Sequence, residues 1–316
     1  MKKAKPGWAW RNFWKTDRAA SCVPGNADTE IEIHEHWRAY FARLPDNSRI
    51  LDIATGNGIL LLQAAKVARD KHFVLTGIDL ADIDPHRYVS EFSQVNVEVD
   101  FVAETDAANM PFEDGSFDVV VSQYGLEYAQ LGSALDEVER VLRPGGYFCW
   151  LAHCEDSDVV MQNRDQSDQV NFLLGPDGPV VAMERLISRI ARNKNPKWAM
   201  TRLDKSMRLA EAFCRANPPA GIVTEVCNGF TEVANRWQAY APKNLQKMVV
   251  HTRTELVAHR QRITELRAAV IGGKRADLVR ERLAAARWEE PEISTLCVGS
   301  ASGPVGLMIR ARRGGC

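Results

Sequence analysis

The chain of 316 residues is long enough to bury about 75% of its unfolded surface, as one large domain or two smaller ones. With 45% hydrophobic and 26% charged residues, its composition is that of an ordinary globular protein. A formal net charge of −1 argues against a dedicated nucleic-acid-binding protein, and the sequence has no apolar run of membrane-spanning length, so membrane insertion is not expected.

Residues 1–46 predict an N-terminal helical cap rich in aromatic side chains. Four of these side chains lie close together: Trp8, Trp10, Phe13 and Trp14. They either roof an aromatic substrate pocket or dock the N-terminus on the core. Apolar residues then recur at helical spacing between Thr29 and Leu44, with Asp28 as the expected N-cap. His34 and His36 diverge on such a helix, so they are not expected to form a metal pair.

An alternation of strands and helices follows. Five short apolar segments predict strands: Ile50–Ala54, Phe73–Asp79, Val97–Ala103, Phe117–Ser122 and Gly146–His153. Three helical patterns lie between them: Gly58–Arg69, Pro85–Gln94 and Ser133–Leu142. Short apolar strands joined by crossovers predict an α/β fold, a doubly wound Rossmann-like parallel sheet with helices on both faces.

Residues 155–290 instead show helical periodicity almost throughout, broken at "GPDGP", "NKNP", "ANPPAG" and "IGGK". The clearest helix is Lys243–Ile271, in which eight positions follow a four-three spacing: Leu245, Val249, Thr252, Leu256, His259, Ile263, Leu266 and Val270. This spacing is typical of a helix packed along another helix. A packing partner within the chain is favoured over a homodimer partner, and His259 is expected to serve in packing.

The β pattern returns at the end of the chain. Two segments, Glu292–Val298 and Val305–Arg312, are joined by the turn-rich "GSASGP" and predict an antiparallel hairpin. We therefore expect residues 47–154 and 291–313 to form one sheet domain. Residues 155–290 would be a large helical insertion, a lid or substrate subdomain.

The predicted first strand leads into a glycine turn, "RILDIATGNGILLLQAA". In an open parallel sheet, ligands bind beyond the carboxyl ends of the strands, where Gly56 and Gly58 would let the backbone approach a ligand closely. The next strand ends at Asp79, 21 residues after Gly58, about where an acidic side chain accepts the ribose hydroxyls of a nucleotide. These features fit NAD and S-adenosylmethionine alike.

Further features separate the two cofactors. Leu61 stands where the third glycine of G-x-G-x-x-G would be. The third strand ends in "ETDAANMPF", which places Asp106 at its mouth, where a carboxylate can accept the adenine amino group. "FEDGSFDVVVSQYGLEY" and "VERVLRPGGYF" follow in order, and the terminal hairpin adds antiparallel strands to a parallel sheet.

With these motifs the sequence resembles class I S-adenosylmethionine-dependent methyltransferases, especially the broad group that includes the quinone-ring methyltransferases. "ILDIATGNG" is similar to their first motif, "TGIDLAD" to the ribose motif, "TDAANMPF" to the adenine motif and "LRPGGYF" to the turn into the fifth strand. The resemblance covers residues 47–154 and, more weakly, 291–313. It implies S-adenosylmethionine as cofactor and the following binding residues: Asp52, Ala54, Gly56, Gly58, Asp79, Leu80, Asp106, Ala107 and Gln123.

In that resemblance the amino-acid part of the cofactor would meet the backbone of Ala54–Gly58, with Asp52 bracing the turn. Asp79 would accept hydrogen bonds from the ribose hydroxyls. Asp106 and the Ala107 amide would bind the adenine. S-adenosylmethionine has no phosphate, so the turn needs no Lys. Ala54 departs from the family's glycine, and it would be strained only at positive φ.

The sequence defines the catalytic and acceptor-binding residues less clearly than the cofactor-binding ones. His153, at the end of the fifth predicted strand, is the candidate general base because its pKa is normally near neutrality. The expected acceptor contacts are Tyr124, Glu127, Tyr128 and Trp14. No cluster has metal-ligand spacing, so no metal site is expected.

We therefore expect methyl transfer to a small hydrophobic or aromatic molecule, with an oxygen acceptor favoured over carbon or nitrogen. One alternative is an RNA or protein methyltransferase, suggested by a basic helical segment: Arg253, Arg260, Arg262, Arg267, Lys274, Arg275, Arg280 and Arg282. Another alternative is a catalytically silent cofactor-binding scaffold, which is supported by Ala54 and the long helix.

The seven cysteines are scattered without a C-x-x-C pair, which suits a reduced chain rather than a disulfide framework or a zinc site. Residues 1–5 are basic, but residues 8–14 are aromatic and polar rather than an apolar signal core. A cytoplasmic protein is expected.

Overall fold

The structure is a computed structural model that describes residues 7–15, 27–68, 71–285 and 287–315. The chain divides into two compact units. The sheet unit comprises the described parts of residues 1–161 and 265–316, and the helical unit comprises residues 162–264. Cys22 and Cys316 lie outside the described residues.

The sheet unit is built on a seven-stranded sheet in the order β3-β2-β1-β4-β5-β7-β6. Its strands are β1 Arg49–Ile53, β2 Val74–Ile78, β3 Val99–Val102, β4 Phe117–Gln123, β5 Leu142–Ala152, β6 Trp288–Leu296 and β7 Gly306–Arg313. β1 to β5 run parallel, whereas β7 pairs antiparallel with both β5 and β6. The α/β Rossmann-like sheet with its C-terminal antiparallel hairpin is thus confirmed. The strand order reverses at β1, which lies between β2 and β4, and this is where such sheets bind ligands.

Eleven helices lie within the described residues: α1 Trp8–Arg11, α2 Ala27–Ala42, α3 Ile59–Val67, α4 Pro85–Tyr88, α5 Leu131–Val141, α6 Asp158–Leu174, α7 Pro179–Ala191, α8 Lys197–Ala216, α9 Gly221–Arg236, α10 Pro242–Ala269 and α11 Gly273–Leu283. None of these described helices is long and apolar enough to cross a bilayer. Asp28 lies in the first turn of α2 and is not its N-cap. The pattern predicted as one helix at 85–94 splits into α4 and a short 3₁₀ turn, and the predicted helix end at Arg69 lies outside the described residues.

The two faces of the sheet are covered by different helices. On one face, Trp37 and Phe41 of α2 and the apolar residues of α3 pack on β1, β4 and β5. On the other, α5 packs together with α11, whose Val279 and Leu283 are buried in the same core. Because α11 belongs to this core, the chain is back in the sheet unit at Glu265. This corrects the predicted insertion of residues 155–290, which is longer than the helical unit.

The helical unit has a core to which every one of its helices α6 to α10 contributes, for example through Val170, Leu186, Leu203, Val223 and Leu245. The seam of α10 packs into this core, so its partner lies within the chain. His259 lies with its Nε2 2.9 Å from Oε1 of Gln166, and burial lowers its pKa to about 4. His259 is therefore a neutral packing side chain, as expected.

Candidate active site

The turn after β1 has the backbone conformation that its glycines allow. Gly56 and Gly58 have φ values of 55° and 76°. A Cβ on Gly58 would lie 2.7 Å from the rings of Phe92 and Phe101, and a Cβ on Gly56 would lie 2.7 Å from the Trp14 ring. Glycine is therefore required at both positions, and Trp14 covers the turn.

Ala54 occupies the first glycine position of this turn and has a φ of 56°. An alanine in this left-handed region is strained by about 1–2 kcal/mol. Its methyl group also fills the space beside Gly125, where an added Cβ would lie only 2.4 Å from Ala54 Cβ. The chain thus carries a strained alanine after β1 and a glycine after β4 that makes room for it.

Two buried carboxyl groups hold this turn. Asp79, which follows β2, accepts the Gly56 amide through Oδ2 at 2.9 Å and the Ala81 amide through Oδ1 at 2.8 Å. Burial raises the pKa of Asp79 to about 6. Asp52 accepts the Thr55 hydroxyl at 2.6 Å, and burial raises its pKa as well. Each Asp79 oxygen keeps a lone pair that can accept a further hydroxyl.

A cavity of about 390 Å³ lies over the carboxyl ends of β1, β2 and β4. It is lined by five of the residues predicted to bind the cofactor: Ala54, Asp79, Leu80, Asp106 and Ala107. All four predicted acceptor contacts also line it: Trp14, Tyr124, Glu127 and Tyr128. The volume lies within the range of small-molecule sites.

Asp106 lies at the exposed mouth of the cavity and Ala107 is buried beside it. Asp106 Oδ1 accepts the Ala108 amide at 2.9 Å, which fixes the carboxylate with its other oxygen available. Asp52, Gly56 and Gly58 do not line the cavity themselves. They shape the turn from behind.

Two predicted site residues, Gln123 and His153, are not among the residues lining the cavity. His153 is fully buried, and its ring stacks on that of Tyr124 at 4.5 Å between centroids. Burial lowers the pKa of His153 to about 3, which makes it too weak a base near neutral pH. The geometry therefore corrects its predicted role as general base. The amide group of Gln123 is also buried, so it does not reach a ligand in the cavity.

Glu127 is the titratable side chain that the cavity offers instead. Its Oε1 accepts the His153 amide at 2.8 Å and its Oε2 accepts Trp150 Nε1 at 3.0 Å. Burial raises the pKa of Glu127 to about 7. A carboxyl group that titrates near neutrality is suited to accept a proton.

Arg275, from the first turn of α11, also lines the cavity, whereas the sequence placed it only in the basic helical segment that suggested an RNA or protein methyltransferase. It donates from Nη2 to the backbone oxygen of Glu127, while its buried Nε has no partner in the described part of the chain. No sequence signal marks this residue, because it lies 148 positions from Glu127. The fold alone brings the two together.

An aromatic wall closes the cavity on the N-terminal side. Trp10 Nε1 donates to Oε2 of Glu265 at 2.8 Å. The Trp10 ring stacks on Trp14 at 5.8 Å and meets Tyr128 edge-on at 5.6 Å. Trp10 and Glu265 both line the cavity. Of the two roles that the sequence left open for the aromatic cluster, this arrangement supports a pocket wall.

Comparison with known proteins finds similarity to methyltransferases. Residues 50–146 match the family model described as a methyltransferase domain. The ubiquinone/menaquinone biosynthesis C-methyltransferase UbiE of Rickettsia bellii is 29% identical over 139 residues, which cover 42% of this chain and 55% of that protein. The sterol 4-C-methyltransferase strm-1 of Caenorhabditis elegans is 30% identical over 132 residues, covering 41% and 38%. Among solved structures, the YcgJ protein of Bacillus subtilis is 26% identical, with a TM-score of 0.34 and coverage of 44% and 59%.

The sheet order, the glycine turn and the matched segment are similar to those of class I methyltransferase domains. The family model covers residues 50–146 of the sheet unit, and its match supports S-adenosylmethionine as the cofactor. The chain spans about half the length of the curated relatives it matches. The resemblance found in the motifs is thereby confirmed.

The cavity residues fit this cofactor. The remaining lone pairs of Asp79 suit a ribose diol, and the available oxygen of Asp106 suits an adenine amino group. No cluster of three or more metal-binding side chains lies within the described residues.

Proposed function

We propose that the chain transfers the methyl group of S-adenosylmethionine to a carbon atom of a small hydroxylated molecule with a hydrophobic or aromatic body. The observation that carries this proposal is one cavity in which Asp79 and Asp106 lie with Glu127, Arg275 and an aromatic wall. The relatives named above methylate carbon, which favours carbon over the oxygen acceptor suggested by the sequence.

When bound, the cofactor supplies a methyl group on a sulfonium, which the acceptor displaces in line. The role of the chain is first to align the two molecules, which can supply about 7–11 kcal/mol of the barrier. When the cofactor binds, Asp79 would hold its ribose and Asp106 its adenine. The rings of Trp10, Trp14 and Tyr128 exclude water from the acceptor.

Glu127 and Arg275 then activate the acceptor. Glu127 takes the hydroxyl proton, and the Arg275 guanidinium stabilises the oxyanion that remains. The electron density of that oxyanion reaches the neighbouring carbon, which forms the new bond to the methyl group as the bond to sulfur breaks. The carbon then loses its own proton to solvent, and the oxygen takes back the proton that Glu127 held, so the methylated product regains its hydroxyl group.

The test is a methyl-transfer assay with carbon-13-labelled S-adenosylmethionine and a panel of alkylated hydroquinones, phenols and sterols. Label on carbon in the product, found by mass spectrometry and NMR, is the expected result. Label on an oxygen atom of the product would show that the enzyme methylates oxygen rather than carbon. Binding of S-adenosylhomocysteine without transfer to any compound, including RNA and protein, would favour the silent cofactor-binding scaffold.

The variants Arg275→Lys and Arg275→Met sharpen this assay. Lysine keeps the charge and methionine removes it at similar length, so kcat should fall about 10²-fold or more in the methionine variant and less in the lysine variant. The affinity for S-adenosylhomocysteine should change little in either. If the affinity for S-adenosylhomocysteine fell as much as kcat, Arg275 would be a cofactor-binding residue rather than one that activates the acceptor.

We also propose that the helical unit selects the acceptor. The support is that the chain returns from this unit at Glu265, which lines the cavity and holds Trp10. Leu245→Ala, which loosens the core of the helical unit, should raise KM for the acceptor and leave S-adenosylhomocysteine affinity unchanged. An unchanged KM in a folded Leu245→Ala protein would contradict this role.

A further inference from the structure

The outer face of α8 combines exposed apolar and basic side chains in one stripe. Its inner residues Leu203 and Ala210 are buried in the core of the helical unit. Trp198, Arg202, Lys205 and Leu209 follow at spacings of four, three and four residues, so they share one exposed face of the helix. Trp198 is 53% exposed and Leu209 is 40% exposed, unusually high values for such large apolar side chains.

The charge around this stripe is one-sided. Residues 181–209 contain eight Lys and Arg and two acidic residues. One of the acidic residues, Glu184, is engaged by Arg253 of α10. Among the residues that the structure describes, no acidic side chain pairs with Lys197, Lys205 or Arg208.

Arg202 contacts the exposed indole, since its Cζ lies 5.4 Å from the ring centroid of Trp198. This contact holds the indole beside the charge. The neighbouring groove between α7 and α8 adds Arg185 and Arg189 next to Trp198. The positive field therefore surrounds the exposed indole.

We propose that this α8 face docks the protein on an anionic lipid surface. Trp198 and Leu209 lie about 16 Å apart along one line of the helix, so both can enter the headgroup region when the helix lies flat. Indole rings favour that depth, and the basic side chains beside them meet the lipid phosphates. The proposal goes beyond methyl transfer, since it concerns where the protein finds a hydrophobic acceptor.

A lipid surface fits this face better than RNA does. Sites for single-stranded RNA present aromatic rings on which bases stack within a basic groove. Here the second apolar side chain is Leu209, which offers no stacking plane, and it lies on a convex helix surface. Contact with lipid acyl chains would explain why the apolar side chain of Leu209 is exposed.

The test is flotation of the full chain with phosphatidylcholine vesicles, with and without phosphatidylserine, at low and high salt. Binding is expected only with phosphatidylserine and should weaken with salt. Replacing Arg202, Lys205 and Arg208 by Glu should reduce binding by about 100-fold or more, since each cation near such a surface is worth about fivefold. Trp198→Ala with Leu209→Ala should reduce it by about tenfold.

The matched control replaces three exposed cations of α10, Lys243, Lys247 and Arg260, by Glu. It makes the same change in net charge and should leave vesicle binding within about twofold of the unmodified chain. Three outcomes would overturn the proposal: no binding to anionic vesicles, an equal loss in the control, or unchanged binding without Trp198 and Leu209. Tight binding of a labelled polyuridine that is lost in the α8 charge variant would assign this face to RNA instead.

Discussion

The strained turn after β1 makes a quantitative prediction about two residues. Ala54 at φ 56° costs about 1–2 kcal/mol, and glycine there costs about 0.5–1 kcal/mol in additional unfolded-chain entropy. Ala54→Gly should therefore raise the free energy of unfolding by about 0.5–1 kcal/mol. The same change at Ala64, buried within α3, should lower it by about 1 kcal/mol or more.

Gly125→Ala tests the contact itself. Its new Cβ would lie 2.4 Å from Ala54 Cβ, so the variant should lose about 1–3 kcal/mol. In the Ala54→Gly background the nearest atoms left to the same Cβ are the carbonyl oxygens of Ala54 and Ile53, at 3.2 and 3.3 Å. The loss should therefore shrink by at least about 1 kcal/mol.

Urea unfolding of the four proteins without cofactor, followed by circular dichroism, measures this coupling. The reasoning is refuted if Gly125→Ala costs the same in both backgrounds, within about 0.5 kcal/mol.

Three further predictions concern the cavity. S-adenosylmethionine carries a sulfonium charge that S-adenosylhomocysteine lacks. The affinity for S-adenosylmethionine, divided by that for S-adenosylhomocysteine, should therefore rise from pH 5 to 8 as Asp79 and Glu127, with pKa values of about 6 and 7, become ionised. A ratio that calorimetry finds independent of pH would contradict the assignment of these two residues to the site. The same raised pKa values mean that the folded state holds the protons of Asp79 and Glu127 more tightly than the unfolded chain, so these two groups lower the free energy of unfolding as the pH rises from 4.5 to 7, whereas the low pKa values of His153 and His259 act in the opposite direction. Glu127→Gln should therefore show a smaller fall, or a larger rise, of the free energy of unfolding over that interval than the unmodified chain. An identical pH dependence of the two proteins would contradict a raised pKa at Glu127. His153→Gln should leave the pH profile of kcat unchanged, whereas loss of its rising limb would restore His153 as the base.

Much of the sheet unit could be predicted because its signals are local. The strand and helix periodicities, the turn at Gly56 and the acidic residue after β2 are all read within short windows of sequence. Residue pairs across the cavity could not be found in this way. Glu127 meets Arg275, and Trp10 meets Glu265, only because the chain returns from the helical unit to the strand ends.

The error at His153 has a physical origin in strand alternation. The sequence places this residue at the ligand-binding edge, but successive side chains of a strand point to opposite faces. The imidazole packs behind the rings of Tyr124 and Tyr128, which line the cavity, and burial there keeps it neutral. The end of the helical insertion was misplaced because the periodicity of α11 predicts a helix but does not reveal the core in which that helix packs.

The most direct test of the account is calorimetric titration of S-adenosylhomocysteine into the unmodified chain, Asp79→Asn and Asp100→Asn. Asp100 is an exposed residue on β3 and makes the same chemical change outside the cavity. The account predicts binding that weakens by about 10- to 100-fold in Asp79→Asn, the scale of hydrogen bonds to a charged group, and stays unchanged in Asp100→Asn. Equal affinity in all three proteins, or no binding to the unmodified chain, would contradict the cofactor site on which the proposed function rests.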